Sequence, residues 1–393
     1  MNDWNVCRID DLGTVNRGKS KHRPRNDSIL FGGDYPFIQT ADVKKANLYV
    51  TEYDTTYSDI GLAQSKLWSK GTLCITIAAN IAESAILGID ACFPDSVVGF
   101  LPHEGKADLK FVKYMLDEFK VYMQQISKGT TQDNLSLDKL RRVKFNVPDY
   151  ATQVKIADIL STYDDLIEIN SNRIKALEQM AANLYKEWFV HFRFPGYKAV
   201  AFVKKKSFGW IVSSRESNKI PASFDYCEFA ELGRFVRGKN ITAAEMIEGE
   251  IPVISAGLQP SGYHNKANVN GRSLTISASG ANAGYLQYNL SDIWAADCSY
   301  YQNEKNLWFV YCTLKFLQPV ISNLQCGAAQ PHVYPKNINK LCVLKPTEEL
   351  IEEFNKTVEP FFDEIELLKK KNDNLIKQRD LLLPRLMSGK LEV

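Results

Sequence analysis

GTTQDNLSLDKLRRVKFNVP, residues 129–148, and GAAQPHVYPKNINKLCVLKP, residues 327–346, read as one segment written twice. Gly129, Gln132 and Pro148 correspond to Gly327, Gln330 and Pro346 at a constant offset of 198, and the apolar pattern stays in register beyond them. A second match lies upstream at an offset of 220, where Cys7, Leu12, Gly13, Arg17, Gly18 and Lys19 correspond to Cys227, Leu232, Gly233, Arg237, Gly238 and Lys239. The chain is therefore a duplication whose flanks are kept and whose middle differs by 22 residues, the difference of the two offsets. Two similar frames around different middles suit a protein that makes the same kind of contact twice, to two targets.

Composition bounds what those contacts are. A chain of 393 residues holds about two or three domains at roughly 100–200 residues each. Hydrophobic content of 45% with 11% aromatics supports packed cores. A formal charge of only +2 gives no global basic field. The eight cysteines form no CxxC pair, and Met1 leads directly into polar sequence, so the expectation is a soluble cytoplasmic protein with reduced thiols. No apolar run approaches the roughly 18 residues that a membrane span needs.

Residues 1–150 carry short β-type runs (Tyr35–Thr40, Leu73–Ala78, Ser96–Leu101), then helical patterning over Leu109–Ile126. Residues 222–346 repeat the scheme with Ile251–Ser255, Leu274–Ala278 and a helical Leu307–Leu317. Each reads as an α+β globule. After each comes a helix with heptad spacing. The first seam is Ile156, Leu160, Tyr163, Ile167, Asn170, Ile174, Leu177, Ala181, Leu184 and Trp188. The second is Phe354, Val358, Phe361, Ile365, Leu368, Asn372, Leu375, Arg379, Leu382 and Leu386. The second helix is expected to stop or kink near Pro384. The organisation is a globule at 1–150, a helix at 151–190, a linker at 191–221, a globule at 222–346 and a helix at 347–393. If the helices pair antiparallel about their midpoints, Asn170 faces Asn372, a polar pair that would fix coiled-coil register. The result is two heads on an antiparallel rod.

Catalytic motifs are sparse. Asp95, Glu104 and Lys106 fit loosely the Pro-Asp…Glu-x-Lys pattern of metal-dependent nucleases. The second copy keeps Asp297 but nothing resembling Glu-x-Lys after it. No phosphate-binding GxxxxGK[ST] loop occurs, and the histidines lack metal spacing. The informative cluster is instead Arg17, Lys19, Lys21, Arg23 and Arg25 with His22 among them, in a loop broken by Gly18 and Pro24. Such a loop can straddle a phosphate backbone, and Arg237 with Lys239 repeats its start. Gln39, Thr40 and Lys44 in one copy, and Ser255 and Gln259 in the other, are candidates for base edges in a groove. Thr130, Gln132 and Gln330 in the duplicated loops are candidates for DNA contact as well.

The combined pattern resembles the specificity subunit of type I restriction-modification systems. The residues that carry the resemblance are Gly129-Thr130-Thr131-Gln132-Asp133-Asn134-Leu135, Val147-Pro148 followed by Gln153-Val154-Lys155-Ile156-Ala157, Phe192-Arg193-Phe194-Pro195-Gly196, and Leu382-Leu383-Pro384-Arg385-Leu386-Met387-Ser388-Gly389-Lys390. The resemblance implies that each globule is a target-recognition domain reading one half of a split, asymmetric DNA sequence. It implies that the paired helices set the gap and dock two modification (methyltransferase) subunits, and that restriction (motor-nuclease) subunits join them. No catalytic residue, metal or cofactor is implied for this chain, while S-adenosylmethionine, ATP and Mg²⁺ are expected on the partner subunits. The chain departs from the family pattern at Thr152-Gln153, at Leu350-Ile351 and at Ala328-Ala329. Two rival readings remain, a nuclease built on Asp95, Glu104 and Lys106, and a coiled-coil scaffold that binds no DNA. The bases read, the spacer length and the identity of the partner chains are not written in the sequence.

Overall fold

The computed structural model describes residues 4–127, 135–205, 219–326 and 331–393. These form two compact units: unit 1 is Met1–Asn172 with Lys369–Val393, and unit 2 is Arg173–Leu368.

In unit 1 the strand Gly13–Arg17 pairs antiparallel with Val97–Pro102, which pairs antiparallel with Leu73–Thr76. Leu73–Thr76 pairs antiparallel with Ser84–Leu87, and Tyr49–Val50 closes the sheet in parallel. Successive side chains on a strand point to opposite faces, and here both faces are buried. Leu73, Ile75, Ile86, Val98 and Phe100 pack on the helix Leu109–Glu118 through Phe111, Val112 and Met115. The alternate residues Cys74, Ala85, Leu87 and Val97 pack on Trp68 and Phe93. Asp108 starts the helix by accepting from the Phe111 N–H at 2.9 Å, satisfying one of the free amides of its first turn.

Unit 2 repeats this order. Val236–Arg237, Cys298–Tyr301, Ser273–Ser277 and Leu286–Asn289 lie side by side, all antiparallel, with Leu307–Phe316 as the corresponding helix. The outer flanks match too: Asn5–Cys7 pairs with Phe145–Val147, and Asp225–Glu228 pairs with Cys342–Lys345. The duplication seen in the sequence is thus a duplication of topology.

The two long helices are Tyr150–Tyr185 and Glu348–Met387, the first followed by a π-helical turn at Lys186–Val190. Every seam residue named from the heptads is buried or half-buried. Within unit 1, Leu160 shares a core with Leu386 and Met387, Arg379 binds Asp164, and Asn170 Nδ2 donates to Asn372 Oδ1 at 2.8 Å. Asn372 Nδ2 in turn reaches Ser171 Oγ at 3.3 Å, so both amides of the polar pair are engaged. Within unit 2, Arg173 pairs with Glu364 at 3.1 Å, and the rings of Trp188 and Phe189 meet Phe354 at 5.6 and 5.2 Å. In both units the partner's number falls as the residue's own number rises, so the helices run antiparallel.

The second helix runs through Pro384 and stops three residues later, at Met387. A proline there removes one N–H donor in the last turns of the helix, and the buried Leu386 and Met387 hold that end against the unit 1 core. One expectation is corrected: the segment 191–221 is not simply a linker. Phe192 and Phe194 lie in the unit 2 core, where both pack against Phe224, and Phe202–Lys204 pairs with Lys219–Pro221.

Candidate nucleic-acid interface

The cationic loop of unit 1 begins where the strand Gly13–Arg17 ends. Gly18 lies against the Phe93 and Pro94 carbonyls, so closely that an added Cβ would come within 2.4 Å of both. Gly238 lies in the same way against Ala295 and Ala296 in unit 2, within 2.6 Å. Glycine at the centre of each Arg-Gly-Lys is therefore required by backbone contact. It pins the strand end to the turn that carries Asp95 in one unit and Asp297 in the other.

Those aspartates serve as anchors, through backbone and side chain. Arg17 Nε donates to the Asp95 carbonyl at 3.1 Å, and Arg25 pairs with the Asp95 carboxylate at 2.8 Å. In unit 2, Arg237 pairs with Asp297, which also accepts from the Ser279 hydroxyl. Arg23 folds back onto its own loop, donating to the Ser20 and His22 carbonyls at 2.8 Å. His22 meets Asp27 at 2.9 Å, and that hydrogen bond holds the Asp27 carboxyl below its usual value. The loop is tied down further by Gln64, whose Oε1 accepts from the Lys21 and His22 amides, and by Ser65, which donates to the Lys19 carbonyl.

The five cations of the cluster thus fall into two kinds. Arg17, Arg23 and Arg25 shape the loop. Lys19 and Lys21 are exposed, and among the described residues neither side chain has an ion pair. Lys239 is likewise exposed, with its backbone held by Ala295 and Trp294. Arg25 shares its charge with Asp95, whereas Arg17 and Arg23 bond neutral carbonyls and keep theirs. Lys19 and Lys21, exposed and without an ion pair among the described residues, are the first candidates for phosphate contact. Replacing both with alanine is expected to leave the fold intact and to weaken binding to all duplex sequences alike. The slope of log K against log salt should fall by about 0.9 per lost contact, close to two in total. A titration series at several salt concentrations measures this, and a loss confined to one sequence would contradict it.

The remaining candidates border the same turns. Gln39 precedes the short helix Thr40–Lys45, its amide donating to Asp42 at 2.7 Å. The neighbouring Ile38 amide donates to the Cys92 carbonyl at 2.8 Å, three residues from Asp95. Thr40 is half-buried, whereas Gln39 and Lys44 are exposed. Ser255 is half-buried and follows Ile254, whose carbonyl accepts from the Ala296 amide at 2.8 Å next to Asp297. Gln259 is exposed in a loop to which the Gln287 side chain donates at Leu258, at 3.1 Å. Thr130, Gln132 and Gln330 lie outside the described residues.

The nuclease reading finds no site. Asp95 is engaged by Arg25, Glu104 is an exposed turn residue, and no group of three metal-ligating side chains occurs among the described residues. Sequence reading missed the anchoring role of Asp95, Asp297 and Ser279. The signal was the recurrence of an aspartate at the end of the same strand in both copies, which pointed to a shared structural duty more than to chemistry in one copy.

A family model described as the type I restriction modification DNA specificity domain matches residues 1–179 and 224–377. The type I restriction enzyme MjaIX specificity subunit of Methanocaldococcus jannaschii is 27% identical over 416 residues, covering 100% of this chain and 94% of that one. The HindI specificity subunit of Haemophilus influenzae is 24% identical over 483 residues, covering 100% of each. The crystal structure of the type-I restriction-modification S subunit from M. genitalium superposes with a TM-score of 0.58 at 18% identity, over 98% of this chain and 96% of that one. That last likeness is one of fold.

Proposed function

The chain belongs to the family of type I restriction-modification DNA specificity domains, and from that membership we propose how its two units divide the work. The protein is a recognition subunit without catalysis of its own. Unit 1 reads one half of a split, asymmetric duplex site and unit 2 reads the other. The observation that carries this reading is the double occurrence of one arrangement. An Arg-Gly-Lys strand end is pinned by its glycine to an aspartate turn in both units, while the loops around it differ.

The helices then set the gap between half-sites and dock two modification subunits. Ile159, Leu166 and Ile169 on the first helix are exposed at steps of seven and three residues, a heptad stripe facing away from the seam. Leu381 is the most exposed large apolar side chain of the second helix, at 68%. Exposed apolar side chains in a row mark a partner surface. The methyltransferase chemistry belongs to those partners, which would bind S-adenosylmethionine. Restriction subunits joining the assembly would use ATP and Mg²⁺. No described helix is long and apolar enough to cross a membrane. The assembly would work in the cytoplasm.

Co-expression with the cognate modification subunit, with and without this chain, tests the reading. The expected result is a stable complex and a new split motif of N6-methyladenine that appears only with the chain. If no complex forms, the docking role falls. If a complex forms and methylation is unchanged, DNA recognition falls, and a coiled-coil scaffold would be the better description.

A further inference from the structure

One feature recurs in both units and has no part in the cationic loop: the tip of the hairpin between the third and fourth strands of each main sheet. In unit 1 the tip joins Leu73–Thr76 to Ser84–Leu87; in unit 2 it joins Ser273–Ser277 to Leu286–Asn289. The closing bonds are the same. Ala82 N donates to Thr76 O and Gly284 N to Ser277 O, at 2.9 and 2.8 Å. Thr76 N donates to Glu83 O and Ser277 N to Tyr285 O, at 2.9 and 3.0 Å.

Each tip holds two left-handed residues. In unit 2 they are Gly280 and Gly284, with φ of 73° and 86°, where glycine has no Cβ to clash. In unit 1 they are Ala79 and Ala82, with φ of 61° and 62°, a conformation that alanine disfavours. A backbone shape held in one copy against residue preference is a shape that the surroundings impose, and such residues cluster at ligand-contacting sites. The Thr76 hydroxyl, bonded to the Asn80 carbonyl, helps to impose it.

Between the left-handed residues each tip carries one asparagine, Asn80 or Asn282, both half-buried. Among the described residues the Asn80 side-chain amide has no hydrogen-bond partner. It borders a cavity of about 420 Å³ lined also by Lys44, Ile81 and Gln125. Among the described residues Asn282 Nδ2 has only a long bond, 3.5 Å, to the Ala256 carbonyl. The unit 2 tip is coupled to the Arg-Gly-Lys arm, because Ser279 and Arg237 share Asp297. A tip closed by its own backbone bonds, which presents an underused amide and is linked to the Arg-Gly-Lys arm, has the features of direct base readout.

We propose that Asn80 and Asn282 are specificity-determining residues, each presenting its amide to the major-groove edge of an adenine in the half-site its unit reads. A carboxamide pairs through its oxygen and NH₂ with an adjacent donor and acceptor, the N6 and N7 of adenine. The inference rests on the recognition role proposed above.

The test uses the full chain with its modification subunit and a plasmid library randomised over the wild-type motif. Methylation is scored for wild type, Asn80→Ala and Asn282→Ala. Each variant is expected to lose preference at a single A·T position, Asn80→Ala in one half and Asn282→Ala in the other, by about 5- to 150-fold. The isosteric Asn80→Asp and Asn282→Asp variants keep the tip's shape and should lose the same preference, so poor folding of an alanine variant does not obscure the result. Unchanged motifs, or changes spread over both halves, would overturn the proposal. Failure of the wild type itself to give a split motif would instead strike the recognition role.

Discussion

A chain ending at Leu368 is expected to lose unit 1 and keep unit 2. The missing segment, Lys369–Val393, belongs to unit 1 although it is far away in sequence. It contributes Leu386 and Met387 to the unit 1 core, with Leu382 and Leu383 packed at its border. Fully burying a large aliphatic side chain stabilises by about 1.5–3 kcal/mol, so Leu386 and Met387, with the partly buried Leu382 and Leu383, carry a large share of the roughly 5–15 kcal/mol by which a domain is stable at all. The lost Arg379 adds to the deficit, because it leaves Asp164 without its cation. Unit 2 is complete within Arg173–Leu368. Hydrogen exchange should show the Leu73–Thr76 strand unprotected and the Ser273–Ser277 strand protected. Protection of both strands would show that unit 1 does not need the returning helix.

The second large effect comes from the polar layer inside unit 1. The Asp164 side chain is wholly buried and accepts from Tyr114 Oη on one oxygen and Arg379 on the other. Burial and the adjacent Asp164 carboxylate raise the Tyr114 hydroxyl pKa far above its usual value, so it remains a proton donor to Asp164. Arg379→Ala would strand a carboxylate where water cannot reach it. Removing one partner of a buried pair costs about 3–5 kcal/mol. Replacing both partners with apolar residues, Asp164→Leu with Arg379→Met, removes both charges together and should cost less than Arg379→Ala alone. Denaturant unfolding of the three proteins measures this. If the double variant were the least stable of them, the pair would be a net source of stability and the desolvation argument would be wrong.

The seam of the long helices was legible in the sequence because burial along a helix follows a period that the residues repeat, from Ile156 to Trp188 and from Phe354 to Leu386. Even the meeting of Asn170 with Asn372 followed from antiparallel pairing about the midpoints. The strand runs were legible for the same reason. What escaped was long-range. Phe192 and Phe194 sit among Arg, Pro, Gly and Lys, a composition that reads as a linker, and only the open core of unit 2 makes them buried. The cationic loop read as five equivalent charges. The anchoring of Arg17 and Arg25 depends on Asp95, 78 residues from the first and 70 from the second. The hairpin tip escaped as well: glycine signals a left-handed turn at Gly280, but alanine at Ala79 signals nothing.

Each unit is proposed to read its half-site independently of the other. Replacing residues 222–346 with the corresponding segment of a relative that recognises a different sequence, and then mapping N6-methyladenine in the presence of the modification subunit, tests it most directly. The expected result is that one half of the methylated motif changes to the relative's half-site, while the other half and the gap between them stay as they were. A motif altered in both halves, or one that ignores the exchange, would contradict it.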